Sequence, residues 1–173
     1  MNNKHKLKVL IACEYSGVVR EAFRKLGHDA WSCDLLDSED NSPYHLKCDV
    51  LTILDQEWDL MIAHPPCTYL TNAGAVHYYG KKAKNVDERK RKGSDAKSFF
   101  MKLYTAQIEK ICIENPNPLK MFQLPIHSQI VQPFEYGHPF SKRTLLWLKN
   151  LPLLKPTNIV ANFQSTKIAG NWF

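Results

Sequence analysis

Asp59-Leu60-Met61-Ile62-Ala63-His64-Pro65-Pro66-Cys67-Thr68-Tyr69-Leu70-Thr71-Asn72-Ala73-Gly74 decides how the rest of the chain is read. Leu60 to Ala63 is continuously apolar, the pattern of a strand covered on both faces. Pro65 and Pro66 stop it at once, because neither can donate to a ladder. A cysteine and a polar loop with a glycine follow. In a parallel α/β sheet the carboxyl ends of the strands open into the ligand crevice, so Cys67 is placed where chemistry is usually done. A buried structural cysteine after a proline turn is the plainer account of a lone Pro-Pro-Cys, and the flanking chain must separate the two.

Upstream, Leu7 to Cys13 is another continuously apolar run, expected in the centre of a parallel sheet. Glu14-Tyr15-Ser16-Gly17 is a tight polar turn. Val18, Val19, Ala22, Phe23 and Leu26 then recur at the spacing of one helix face, closed by Gly27. Asp29 to Cys33 is a second strand ending at Asp34, and His45 to Val50 a short third one ending at Asp49. Strand, glycine turn, helix and strand with a terminal acid have the geometry of a nucleotide site, in which the acid reaches ribose hydroxyls. Only one glycine stands where a dinucleotide fingerprint has three, which argues against a dinucleotide dehydrogenase. Asp34 reads equally well as a solvated turn residue.

Downstream, residues 81 to 92 hold seven Lys or Arg. A solvated helix face or loop explains such a run. So does a clamp on a phosphate backbone formed by Lys81, Lys82, Lys84, Arg89 and Arg91, with Tyr78 and Tyr79 beside it to stack on a base. Ser94 to Lys110 is expected to be helical, and Lys110 to Ile113 to be a buried strand with Glu114-Asn115-Pro116 at its end. Glu114 and Cys67 then share one crevice, a thiol nucleophile beside a carboxylic acid. A turn and short helix are expected over Asn117 to Leu124. Gln129 to Phe134 and Thr144 to Leu148 are expected to pair as antiparallel strands. After Leu151 the chain is interrupted by proline, and Asn158 to Phe173 carries no strong pattern.

The whole chain sets bounds on these readings. Its 173 residues suit one domain, and 44% hydrophobic content with mixed charge is that of a soluble globular protein. No apolar stretch approaches the ~20 residues that cross a bilayer, and the first residues do not read as a signal peptide, so a cytoplasmic protein is expected. The five cysteines, at 13, 33, 48, 67 and 112, have no CxxC spacing, against both a disulfide framework and a zinc site. A net charge of +6 suits a polyanionic partner without establishing one.

Taken together, the motifs resemble those of the cytosine-5 DNA methyltransferases. Pro65-Pro66-Cys67 with Asn72-Ala73-Gly74 resembles their nucleophile loop, and Glu114-Asn115-Pro116 their Glu-Asn-Val element. Tyr136-Gly137-His138-Pro139 with Lys142-Arg143 resembles the later Tyr-Gly-x-Pro-Gln and arginine segment. Order and spacing match across residues 7 to 148, and more closely the short phage-encoded proteins described as cytosine methyltransferase-like. The resemblance implies an α/β Rossmann-like methyltransferase fold, mostly parallel with a late antiparallel hairpin, as a single domain over residues 1 to 173 that lacks a target recognition domain. It implies that Tyr15, Ser16, Gly17, Asp34, Asp49 and Pro65 hold S-adenosylmethionine. Cys67 would add to C6 of a cytosine in DNA, Glu114 would hold the base, and Arg143 and Lys142 would contact the base or its phosphates.

The departures count as well. The family's glycine-rich turn is Glu14-Tyr15-Ser16-Gly17, Thr68 replaces the Gln after the cysteine, and the Gln-x-Arg-x-Arg pattern is reduced to Ser141-Lys142-Arg143. A catalytically inactive phage protein that binds nucleic acid, a nucleotide or a host defence protein is therefore the alternative. A homodimer would be a way to complete a truncated pocket. Reading His64-Pro65-Pro66-Cys67 as a degenerate Asp-Pro-Pro-Tyr motif of amino-methyltransferases ranks last, since His removes the acceptor that polarises the amine.

Overall fold

β1 (Lys8–Ala12) lies in the interior of a seven-stranded sheet because its side chains have apolar partners on both sides. The computed structural model describes residues 6–79 and 83–165. The chain leaves β1 through a turn into α1 (Val18–Lys25) and returns as β2 (Asp29–Asp34), parallel to β1. β3 (His45–Lys47) adds to the outer side of β2. β4 (Leu60–Ala63) pairs with the other side of β1, in register Val9 to Leu60. The crossover α2 (Val86–Tyr104) leads to β5 (Lys110–Pro116), parallel to β4.

Later come β6 (Gln129–Val131), the two-residue β7 (Phe140–Ser141), β8 (Thr144–Lys149) and β9 (Gln164–Ser165). The order across the sheet is β3-β2-β1-β4-β5-β8-β6, and β8 is antiparallel to both its neighbours. This is the α/β Rossmann-like fold expected, mostly parallel with a late antiparallel pair. β7 and β9 form a separate parallel pair.

The alternation of β1 side chains separates the two faces of the core. Val9 and Ile11, with Ala30 and Leu60, meet Val19 and Phe23 of α1. Leu10 and Ala12, with Met61, Ile111 and Ile113, meet Phe100 and Leu103 of α2. Phe100 also stands edge-on to Trp147 of β8, with centroids 5.0 Å apart, which ties the late strand to the helix layer. No helix among the described residues is long and apolar enough to cross a membrane.

Several boundaries differ from expectation: β3 ends at Lys47 rather than Val50, and β5 runs past Ile113 through Glu114 to Pro116, paired along β8. α2 begins at Val86, eight residues before Ser94, and ends at Tyr104 rather than Lys110. Its polar first turns are held by the i,i+4 pairs Glu88–Lys92 at 2.9 Å and Arg91–Asp95 at 3.4 Å, so the basic run from Val86 on is helix. At the other end Thr105 turns its N–H and hydroxyl onto the Met101 carbonyl, and Ala106 and Ile108 enter the core from an irregular segment. β6 stops at Val131 because Pro133 has no N–H to donate and instead opens the short helical turn Pro133–Glu135. Between Asn117 and Leu124 the helical part is the three residues Lys120–Phe122.

Candidate active site

β1 turns toward β2 on one side and the sheet continues to β4 on the other, so the strand order reverses beside β1. Ligands bind outside the carboxyl ends of strands at such a point. Two cavities open there. One, of about 410 Å³, is lined by Cys13, Asp34, Leu35, Asp49, Val50, Pro66, Asp95 and Phe99 among others. The second, of about 320 Å³, shares Cys13 and is bounded by Glu14, Tyr15, Ser16, Val18, Val19 and His64. They meet at Cys13, at the end of β1.

The turn between them is built around a buried carboxylate. Glu14 is only 5% exposed and points back onto the start of α1. Its Oε1 accepts the Val19 N–H at 2.7 Å and its Oε2 the Arg20 N–H at 3.2 Å, satisfying donors that the helix cannot. Gly17, at φ 75°, closes the turn directly over the fully buried Arg20 guanidinium, where a Cβ would lie 2.2 Å from Nη2. That guanidinium donates to Ser32 Oγ at 2.7 Å and pairs with Glu21 and Asp40, anchoring the loop after β2.

Asp34 and Asp49 stand at the ends of β2 and β3. In each, Oδ1 accepts a backbone N–H two residues on, from Leu36 and Leu51 respectively, both at 3.0 Å. The other oxygen of each has no protein donor among the described residues. Their charges act on Cys13, whose thiol is pushed up to about 12, chiefly by burial and then by Asp34 and Asp49. Cys13 itself sits at φ 60°.

Cys67 follows β4, with Pro65 buried and Pro66 on the wall of the larger cavity. Its thiol is half-buried and its pKa is raised, first by burial, then by the charge of Glu114, with Lys142 acting in the opposite sense. Glu114 extends from β5, the strand beside β4, and its Oε2 is 3.8 Å from His64 Nδ1. The charges of Glu114 and Lys142 thus both act on the Cys67 thiol, and the His64 ring stands beside Glu114. His64 Nε2 and the buried Asn115 Oδ1 lack hydrogen-bond partners.

Other expected residues are distributed differently. Arg143 is exposed, and of the Lys142-Arg143 pair it is Lys142 whose charge reaches the thiol. Lys84 is exposed, Arg91 is paired with Asp95, and Arg89 turns inward to donate to the Thr68 carbonyl. Lys81 and Lys82 lie outside the described residues. The wall formed by Leu35, Val50, Asp95 and Phe99 was not anticipated. For Phe99 the signal was present, an aromatic on the helical face that returns to the sheet between Cys67 and Glu114.

No protein-family model matches the chain, and no curated protein matches it in sequence. Solved structures do match in fold. The methyltransferase EhMeth of Entamoeba histolytica superimposes with a TM-score of 0.59 at 16% identity, over 91% of this chain and 58% of that one. A protein assigned as a DNA modification methyltransferase, encoded within an E. coli prophage, does so with a TM-score of 0.51 at 15% identity, over 88% of this chain and 51% of that one. The chain therefore has a methyltransferase fold and spans between half and three-fifths of the length of these two proteins.

Proposed function

We propose that the chain is a small S-adenosylmethionine-dependent cytosine-C5 methyltransferase acting on DNA. The observation that carries this reading is the approach of Cys67 and Glu114 at the ends of neighbouring strands, beside a trough fit for a nucleoside. The trough suits the cofactor in its chemistry. Asp34 and Asp49 each offer a carboxylate oxygen to ribose hydroxyls or an adenine amine, Leu35, Val50 and Phe99 offer apolar walls, and Tyr15 and Ser16 border the cavity left for the amino-acid end, with Gly17 closing the turn between them and α1. S-adenosylmethionine supplies an electrophilic methyl group when bound. The likeness to a protein assigned as a DNA modification methyltransferase supports DNA as the acceptor.

The roles of the residues follow from valence. The Cys67 thiolate adds to C6 of a cytosine taken out of the stack, which costs a few kcal/mol of unstacking. Protonated Glu114 hydrogen-bonds N3, so the electron pair arriving at the ring is stabilised and C5 becomes nucleophilic. After C5 takes the methyl group its proton passes to a water molecule, the C5–H electron pair forms the C5–C6 double bond, and the C6–S bond breaks to return the thiolate. The free site opposes this chemistry, because burial and the Glu114 charge both disfavour the thiolate. A proton on Glu114, held against cytosine N3, removes the second of these.

The same opposition favours a second reading, a catalytically silent protein of this fold that holds nucleic acid, a nucleotide or a host protein. Tritiated methyl transfer to duplex and single-stranded DNA separates the two. Incorporation at cytosine C5 that disappears in Cys67→Ser supports the enzyme, and incorporation no greater than that of Cys67→Ser overturns it.

A further inference from the structure

Arg89 belongs to the most basic stretch of the chain, yet its side chain is committed to the loop that carries Cys67. Its Nη2 donates to the Thr68 carbonyl at 3.1 Å, one residue after the cysteine. Its guanidinium carbon lies 5.0 Å from the ring centroids of both Tyr69 and Tyr78, within cation–π range. Tyr78 is buried, and its hydroxyl lies 2.7 Å from the Tyr69 carbonyl and 3.2 Å from that of Arg89 itself. The two carbonyls that follow Cys67 are therefore both engaged by groups at the start of α2 or packed on it. Gly74 makes room, since a Cβ there would lie 2.8 Å from Arg89 Nη2 and 3.0 Å from the Thr68 carbonyl oxygen.

Within the loop the Cys67 carbonyl accepts the Leu70 and Thr71 N–H groups at 3.0 and 3.2 Å, and the other ties run to the segment after β5. Asn72 donates its N–H to the Asn117 carbonyl at 2.9 Å, and Leu119 donates to the Leu70 carbonyl at 2.7 Å. Those contacts hold the loop from Leu70 onward. Arg89 and Tyr78 hold the stretch between Cys67 and Leu70.

We propose that Arg89, seated against Tyr78, is a positioning residue that latches the Cys67 loop to α2 and sets the access and aim of the thiol. This rests on Cys67 being the reactive group proposed above, but the latch itself has a readout of its own. Arg89 acts by geometry: burial, Glu114 and Lys142 govern the ionisation of the thiol, and Arg89 is not among the charges that act on it. Its removal changes how often the thiol is presented, and because burial is the first cause of the raised ionisation, any accompanying shift of the midpoint is downward. A neighbouring cation such as Lys90, exposed on the same helix, has no such effect.

The experiment is alkylation of the full chain by iodoacetamide from pH 7 to pH 10, with the rate at Cys67 followed by peptide mass spectrometry. Losing a charge-assisted hydrogen bond changes a local opening equilibrium by about tenfold or more. Arg89→Ala is expected to change the limiting Cys67 rate by about that factor with the pH midpoint unmoved or lower, Tyr78→Phe to change the rate in the same direction, and Lys90→Ala to leave it at the parent value. Arg89→Lys, which keeps one donor but not the planar stack, is expected to fall between. Should Arg89→Ala lose its fold, as read by circular dichroism, Tyr78→Phe and Arg89→Lys decide the matter. Rates within twofold of the parent in the folded variants overturn the latch, as does a shift of the midpoint with no change in limiting rate. If the latch holds but no DNA is methylated by the parent protein, the methyltransferase reading falls and the latch stands.

Discussion

Replacing Glu14 by Ala exposes how much of the trough depends on one buried carboxylate. The side chain accepts two backbone N–H bonds from the first turn of α1 and a longer one from Ser16 Oγ at 3.4 Å. Loss of a helix cap costs about 0.5–2 kcal/mol, and hydrogen bonds to a charged acceptor contribute about 1.5–3 kcal/mol each. With water reaching part of the vacated space, about 3 kcal/mol is expected for Glu14→Ala. Glu14→Gln retains one acceptor and points an amide N–H at the other donor, so about half that loss is expected. For a domain of this size the alanine variant should melt about 6–12 °C lower. Urea unfolding followed by far-ultraviolet circular dichroism measures both variants, with an unchanged m-value showing that the same surface is exposed. A midpoint for Glu14→Ala within about 0.5 kcal/mol of the parent would refute the capping argument, because that is the range of an ordinary surface change.

Three further outcomes are expected. The thiolate fraction of Cys67 rises with pH through a midpoint above the ordinary 9.0; Glu114→Gln removes a negative charge and moves the midpoint down, and Lys142→Met removes the opposing cation and moves it up, both measured by the pH profile of alkylation. Asp34→Ala and Asp49→Ala each weaken S-adenosylmethionine binding by about tenfold in isothermal titration, the loss of one hydrogen bond to a charged acceptor; equal affinities for the parent and both variants would move the cofactor elsewhere. Gly93→Ala places a Cβ 2.1 Å from the Phe122 ring, so about 1–3 kcal/mol of overpacking strain is expected in urea unfolding, relieved when Phe122→Leu is added.

Much of the architecture could be read from the chain because interior parallel strands leave so plain a trace. The runs at β1 and β4 are apolar and each ends in a break that marks the functional edge, the Glu14 turn and the two prolines, while the apolar start of β5 runs on through Glu114 to Pro116. Glu114 could be expected near the end of β4 for that reason, since the register of Ala63 with Ile113 sets the next residues, His64 and Glu114, side by side, with Cys67 in the loop just beyond. What escaped the reading depends on partners remote in sequence. The first turns of α2 look like a solvated charge run until Glu88, Arg91 and Asp95 are seen to pair along it. Arg89 is indistinguishable in the sequence from its basic neighbours, and only the meeting of Tyr69, Tyr78 and the Thr68 carbonyl separates it. The parallel pairing of β7 with β9, two residues each, leaves no periodic signal at all.

The position of β8 between β5 and β6 has a consequence for how the protein is made. β6 precedes β8 in the chain but reaches the sheet only through it, so as the polypeptide emerges β6 has no ladder to join until Thr144–Lys149 has followed. Until then β5, at seven residues the longest strand among the described residues, is an open edge, the kind of template on which chains associate. Once β8 is laid down, both outer strands of the finished sheet, β3 and β6, are only three residues long. The nascent chain is thus most prone to aggregate while its late strands are still being synthesised, and chains shortened to end before Thr144 should collect in inclusion bodies while the full chain stays in solution.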